Sequence, residues 1–145
     1  MKRLIMVLCL GAVGAISRYG AVLFCSSYFG ALPVGTFAVN LLGAFLAGFV
    51  FVIFRTRLSR WSRYEAVCLV GFLGGFTTFS AYSLVVHQLF AGDQFLTGIC
   101  YIGATNILGL LAAYLGIVSA KRLFPARHHA GKRRNTAADS VKSQG

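Results

Sequence analysis

The chain has 145 residues, of which 57% are hydrophobic and 12% charged, with 14 Lys and Arg against 3 Asp and Glu. A water-soluble domain of this size needs a larger charged fraction to cover its surface, so the composition excludes that class. The formal net charge of +11 is expected to meet anionic lipid headgroups and not nucleic acid.

Four apolar runs follow one another along the chain, and each is long enough to be a transmembrane helix. A helix needs roughly 20 apolar residues to cross the hydrocarbon core of a bilayer. The runs, called spans 1 to 4, are residues 4–29, 32–54, 64–90 and 95–120. The sequence therefore predicts an all-α integral membrane protein whose four transmembrane helices occupy residues 1–125.

The last twenty residues, 126–145, differ from the rest in composition. They show no helical or strand periodicity and few apolar side chains, so they are predicted to form a disordered basic tail. His128 and His129 lie close to a basic run in this tail. Contact with lipid headgroups is favoured there over contact with a metal or with nucleic acid.

Basic residues gather on one side of the predicted arrangement. With four spans, both termini and the loop between spans 2 and 3 share that side, and the two opposite loops carry no Lys or Arg. Before the tail, the basic residues on the side of the termini are Lys2, Arg3, Arg55, Arg57, Arg60, Arg63, Lys121 and Arg122. The positive-inside rule therefore predicts that both termini are cytoplasmic.

Span 1 contains Arg18 and no acidic partner for it. A charge inside a membrane-spanning helix normally faces protein or water. Two interpretations stay open. The guanidinium can extend to the outer headgroups along its aliphatic stem, or it can line an aqueous vestibule that attracts anions.

Spans 2 and 4 each carry small and polar residues at helical spacing. Thr36, Asn40 and Gly43 share one face of span 2, and Tyr101 and Thr105 begin a similar face of span 4. Small residues let helices approach closely, and an amide can bond across the interface. The two spans are therefore predicted to pack along a polar stripe, with Asn40 either joining helices or binding a ligand.

The middle of span 3 combines residues that weaken a helix. Gly71, Gly74 and Gly75 lower helix propensity, and the hydroxyls of Thr77 and Thr78 compete for backbone hydrogen bonds. A helix broken at membrane depth is tolerated only where it is buried in protein or lines water. We therefore expect a break near the bilayer midplane, with carbonyls at the break able to coordinate a cation.

A polar and aromatic face follows the expected break. Phe79 and Tyr82 stand at positions i and i+3 and so share one side of a helix, with Ser80 and Ser83 beside them. Ring edges carry the positive part of the aromatic quadrupole, and hydroxyls donate hydrogen bonds, so this face suits an anion. Packing of the rings in a helix interface is the alternative.

The stretch GGFTTFSAYS resembles the signature of the Fluc (CrcB) family of fluoride channels, whose usual form is GGxTTFSTFS. In addition, VGTFAVNLLGAFLAG is similar to the second helix of that family and GAVGAISRYG to its first, so the similarity extends over about residues 5 to 120. The resemblance implies a fluoride-selective channel subunit that passively exports fluoride across the bacterial inner membrane.

The resemblance also implies an antiparallel dimer with two fluoride pores and a central sodium ion. Gly74 and Thr77 would offer backbone carbonyls to sodium, and Arg18 would lie near the vestibule. The predicted fluoride-pore residues, which include the two serines after the break, are Asn40, Phe79, Ser80, Tyr82, Ser83, Tyr101 and Thr105.

The sequence departs from the family pattern at three positions. Tyr82 replaces the second pore phenylalanine and adds a phenolic hydroxyl. Gly109 stands where a hydroxyl residue often occurs, and Val85 replaces a frequent glutamate. These departures concern the detail of the pore and not the membership of the family.

A second candidate function is a small multidrug exporter that exchanges protons for cations, since such exporters also have four helices. That exchange needs a carboxylate inside the membrane, and spans 1, 2 and 4 contain none, while Glu65 lies at an end of span 3. No acid–base pair or nucleophile constellation is visible, so the chain is not expected to be an enzyme.

The strong charge asymmetry bears on the expected dimer. Antiparallel pairing of identical chains requires insertion in both orientations, whereas the positive-inside rule predicts one orientation here. The sequence therefore predicts a heterodimer with a homologous, oppositely oriented subunit, with a homodimer as the alternative.

Overall fold

The computed structural model describes residues 1–29, 33–56, 58 and 64–125. In this part of the chain the elements are α1 (Lys2–Phe29), α2 (Val34–Thr56), a π-helical segment (Val67–Leu73), α3 (Gly74–Phe76), α4 (Phe79–Ala91) and α5 (Phe95–Leu123). The predicted tail and three of the predicted cytoplasmic arginines, Arg57, Arg60 and Arg63, lie outside the described residues.

Four helical stretches are long and apolar enough to cross a membrane: Lys2–Phe29, Val34–Thr56, Val67–Ala91 and Phe95–Leu123. The prediction of an all-α protein with four such spans is confirmed. The first and last helices extend further than predicted, because they continue through Lys2 at one end and through Lys121 and Arg122 at the other. An apolar count stops at such charges, whereas a helix continues through them into the headgroup region.

Among the helices that the structure describes, α2 and α5 make the most extensive contact, which confirms the predicted packing of spans 2 and 4. Two glycines make it close. A Cβ on Gly48 would overlap the carbonyl oxygen of Ala113, and one on Gly116 would overlap that of Phe45. The helix backbones therefore touch where a larger side chain would separate them.

The polar stripe predicted between spans 2 and 4 is correct only in part, because Asn40 shares a cavity with Thr105 of span 4 but makes its hydrogen bonds to span 3. Asn40 bonds to Thr78 of span 3, and a Cβ on Gly43 would overlap the Thr77 methyl group. This face of α2 thus packs against span 3, and a different face meets α5. Helical periodicity identifies residues that share a face, but it does not specify which neighbour that face contacts.

The first half of span 3 packs against α1 through glycines on both sides. A Cβ on Gly14 would overlap the carbonyl oxygen of Phe72 and lie 2.9 Å from the nitrogen of Phe76. A Cβ on Gly75 would overlap the carbonyl oxygen of Gly11. At these positions the absence of a side chain permits backbone contact, in addition to any lowering of helix propensity.

Span 3 changes backbone conformation along its length. It starts with π-helical winding at Val67–Leu73, which no sequence pattern had indicated. Thr77 has a ψ of 157°, and Thr78 has φ −150° and ψ 120°, so both residues are extended between α3 and α4. The Thr78 hydroxyl then caps α4 by accepting a hydrogen bond from the Ala81 N–H at 3.1 Å.

Candidate functional site

The extended segment of span 3 is held by one side chain of α2. The Asn40 amide nitrogen donates to the Thr78 carbonyl at 3.0 Å, and the Thr78 N–H donates to Asn40 Oδ1 at 2.9 Å. Thr78 is only 8% exposed, so without Asn40 its backbone polar groups would be buried and unpaired. Asn40 therefore joins two helices, and one of its two amide hydrogens is left for another acceptor.

The two hydrogen bonds between Asn40 and Thr78 form a junction between α2 and span 3, and a cavity of about 210 Å³ lies beside this junction. It is lined by Asn40, Thr78, Phe79, Tyr82, Thr105 and Asn106. The cavity brings four of the predicted pore residues, which come from spans 2, 3 and 4, to one place. Phe79 is 78% exposed in the single chain, so its ring is not part of this chain's own hydrophobic core.

Aromatic rings form a continuous row next to the cavity. The centroid of Tyr82 lies 5.5 Å from that of Phe79 and 5.9 Å from that of Tyr101, with the two tyrosine rings stacked. Tyr101 also contacts Phe37 at 6.1 Å and lines a neighbouring apolar cavity of about 310 Å³. Tyr101 thus stacks on Tyr82 and does not line the polar cavity.

The predicted hydroxyl residues occupy different places. Thr105 lines the polar cavity, but its hydroxyl donates to the Tyr101 carbonyl at 2.7 Å within its own helix. Ser80 lies next to the cavity, with its hydroxyl 3.0 Å from that of Thr78. Ser83 is exposed on α4, and neither Ser83 nor the partly exposed Arg18 of α1 is among the residues lining this cavity.

Two residues of the site were not predicted, Thr78 and Asn106. Thr78 organises the junction through its backbone and its cap, and Asn106 donates to the Tyr82 hydroxyl at 3.2 Å and to the Ile102 carbonyl at 2.8 Å. An amide within an apolar span is costly, so the signal that singled out Asn40 applied equally to Asn106. Thr78 differs, because its role depends on backbone geometry that a sequence does not display.

The junction also changes the environment of two backbone carbonyls, those of Gly74 and Thr77. In a continuous α-helix they would accept from the N–H groups of Thr78 and Ala81. Those two donors instead bond to Asn40 Oδ1 and to the Thr78 hydroxyl. Carbonyl oxygens relieved of their helical donors are suitable ligands for a hard cation such as sodium.

Fold and site together define a small multi-pass membrane protein with a polar, aromatic-lined cavity next to Thr78, which has extended backbone angles. The family described as "CrcB-like protein, Camphor Resistance (CrcB)" matches residues 5–117, which is most of the chain. The chain therefore belongs to the CrcB family, as the resemblance of its motifs indicated.

Several curated proteins are similar to this chain over most of their own length. A protein of Hahella chejuensis is 46% identical over 108 residues, which cover 74% of this chain and 85% of that protein. A protein of Chlorobium phaeobacteroides is 40% identical over 113 residues, with 77% and 86% covered. One of Nitratidesulfovibrio vulgaris is 36% identical over 118 residues, with 81% and 95% covered. Each is named Fluoride-specific ion channel FluC.

Proposed function

We propose that this chain is a subunit of a fluoride-selective channel, through which fluoride leaves the bacterial cytoplasm passively. Its family and the names of its relatives support this function. The observation that carries the proposal is the cavity shared by Asn40, Phe79 and Tyr82, where an amide donor, aromatic rings and a phenol surround one space.

These groups suit fluoride for a physical reason. Fluoride is small and strongly hydrated, so a pore must replace much of its water with convergent donors, and a narrow bore excludes the larger chloride. The Asn40 amide supplies a donor, and the edges of the Phe79 and Tyr82 rings carry positive partial charge. Both kinds of group stabilise an anion without a full positive charge that would trap it.

An exporter that exchanges protons for cations is not favoured by any observation at the site. Among the described residues the carboxylates are Glu65 and Asp93. Glu65 precedes the third span, with Oε2 lying 3.8 Å from Arg55 Nε, and Asp93 lies in the turn between α4 and α5. Neither carboxylate is inside a membrane-spanning stretch, where proton exchange would need one.

The proposal includes a sodium ion at a break near the bilayer midplane. The Gly74 and Thr77 carbonyls would hold it, which fits the redirection of their helical donors to Asn40 and Thr78. A bound sodium ion would supply positive charge that compensates the carbonyl dipoles at membrane depth. Replacing sodium with a bulky organic cation on both sides is expected to lower transport or dimer stability, and indifference to sodium would contradict the proposal.

The proposed functional unit is an antiparallel dimer in the inner membrane, with both termini of this chain in the cytoplasm. Within the chain, α1 buries only Gly14, and large apolar side chains such as Ile16 and Leu110 are exposed, so lipid and a partner subunit have surface to cover. Because the basic residues favour one orientation, the partner is proposed to be a homologous subunit inserted the opposite way. A homodimer is the alternative.

Topology reporters at the C-terminus distinguish these two dimers. We expect a cytoplasmic C-terminus whether or not a homologue with reversed loop charges is co-expressed, and transport that depends on that homologue. Robust fluoride transport by this chain purified alone, with reporters in both orientations, would instead establish the homodimer.

The central test of the function is ion efflux from liposomes that contain the assembly purified from membranes. Loaded vesicles should lose fluoride and retain chloride, with both ions followed by selective electrodes. Empty vesicles control for leakage through the lipid. Equal loss of the two anions would contradict a fluoride-selective pore.

A further inference from the structure

The hydrogen-bond donors around the polar cavity are not equally available to an anion. The Thr105 hydroxyl is used by the Tyr101 carbonyl, and the Thr78 hydroxyl is engaged with Ser80 and with the Ala81 N–H. The Asn106 amide nitrogen donates to Ile102 and to Tyr82. After these bonds, the side-chain donors that remain are the second amide hydrogen of Asn40, the hydroxyl hydrogen of Tyr82 and one hydrogen of the Thr78–Ser80 hydroxyl pair, which share a single bond.

The orientation of the Asn106 amide is determined by its own helix. The Ile102 carbonyl can only accept, so the amide atom 2.8 Å from it must be the nitrogen. The same nitrogen lies 3.2 Å from Tyr82 Oη and therefore donates to it. Because the phenol oxygen accepts from Asn106, its hydrogen is directed away from Asn106 and is free to donate to another group.

The position of the Tyr82 ring is also constrained by two aromatic neighbours. The ring centroid of Phe79 lies 5.5 Å from that of Tyr82, and the centroid of Tyr101, which stacks on Tyr82, lies 5.9 Å from it. In the part of the chain that the structure describes, the bond from Asn106 is the one hydrogen bond made to Tyr82 Oη. Ring and hydroxyl are thus both held beside the cavity.

We propose that Tyr82 donates its hydroxyl hydrogen bond to the transported anion in this cavity, and that Asn106 is the positioning residue that orients this hydroxyl. The inference rests on the proposed function and specifies one contact of it. Asn40 and Tyr82 would then form a pair of donors from two helices. A strong acceptor such as fluoride gains more from such donors than chloride does.

The experiment is a double-mutant cycle of Tyr82→Phe and Asn106→Leu, read as the fluoride concentration that half-saturates efflux from liposomes. Tyr82→Phe removes the hydroxyl and keeps the ring, so it tests the hydroxyl alone. Loss of a hydrogen bond to a charged ligand should raise the half-saturating concentration about tenfold. Asn106→Leu should produce a similar shift on its own and no further shift in the Tyr82→Phe background.

Tyr114→Phe is the matched control, because it removes the same hydroxyl from an exposed tyrosine of α5 outside the cavity. It should leave the half-saturating concentration unchanged. An unchanged value in Tyr82→Phe, or a shift by Asn106→Leu that is equally large in both backgrounds, would overturn the inference while the proposed function stands. Absence of fluoride flux through the unaltered assembly would overturn both.

Discussion

The two halves of the third span differ in what surrounds them. The half before Thr77 buries Val67, Gly71, Leu73 and Phe76, and it packs against α1. The half after Thr78, α4, contains no buried residue. The first half is thus anchored within the chain, whereas the side chains of the second half are exposed in the single chain.

The residues between the halves account for this difference. Thr77 keeps its N–H and its hydroxyl on the Leu73 carbonyl, both at 2.9 Å, and so belongs to the anchored half. Thr78 turns to Asn40 instead and starts α4 with its own hydroxyl. The first half of the span thus packs within the chain, and the second half contributes Phe79 and Tyr82 to the lining of the polar cavity.

The largest expected effect is the loss of transport in Phe79→Ile. The substitution removes a ring edge while keeping apolar bulk, and the 78% exposure of Phe79 indicates that the fold of the chain does not depend on it. We expect fluoride efflux to fall to the level of empty liposomes, with an unchanged elution volume in size-exclusion chromatography. Normal efflux would show that Phe79 only packs against a neighbour.

Asn40→Leu tests the connection between the halves. Removal of the amide leaves the buried N–H and carbonyl of Thr78 without their partner, at a cost of roughly 1–3 kcal/mol for each unpaired group. Both fluoride efflux and thermal stability in detergent should fall. Asn106→Leu is the matched amide-to-leucine comparison, and it should leave thermal stability nearly unchanged because Asn106 is exposed. Equal losses of stability in the two variants would contradict the joining role of Asn40.

Gly14→Ala addresses the anchored half. Its new Cβ would overlap the Phe72 carbonyl, and overpacking of this kind typically costs about 1–3 kcal/mol. The control in the same helix is Gly20→Ala, because no atom lies within 4 Å of the added Cβ. Thermal unfolding should separate the two variants, with Gly14→Ala lower than the unaltered protein and Gly20→Ala not lower. Equal unfolding temperatures would mean that α1 and span 3 are not in close contact.

Thr77→Ser should have the smallest effect. Serine preserves the hydroxyl bond to Leu73, and the proposed sodium ligand at this position is a backbone carbonyl that every residue has. We expect efflux within about twofold of the unaltered protein, since the loss of one methyl group costs roughly 1 kcal/mol or less. Loss of the response to sodium in this variant would indicate that the threonine side chain participates in binding.

Much of this protein was determined by the sequence alone. Four apolar runs of sufficient length specify four membrane-spanning helices, because no other simple structure satisfies their backbone groups in lipid. The sequence also singled out Asn40, as an amide within an apolar span, and Phe79 and Tyr82, as an aromatic pair after a glycine-rich stretch. The motif around Thr77 and Thr78 then indicated the family that the comparison with known sequences established.

Only the tertiary structure decided which groups meet and which donors remain available. The hydrogen bonds of Asn40 go to Thr78 of span 3, and the Thr105 hydroxyl bonds to its own helix, so residues that look equivalent in the sequence differ in what they can offer an anion. Periodicity specifies the direction of a side chain from its helix axis. The neighbour in that direction, and the hydrogen bonds that neighbour already makes, depend on how close the helices approach, which is determined here by backbone contact at glycines such as Gly14, Gly48 and Gly116.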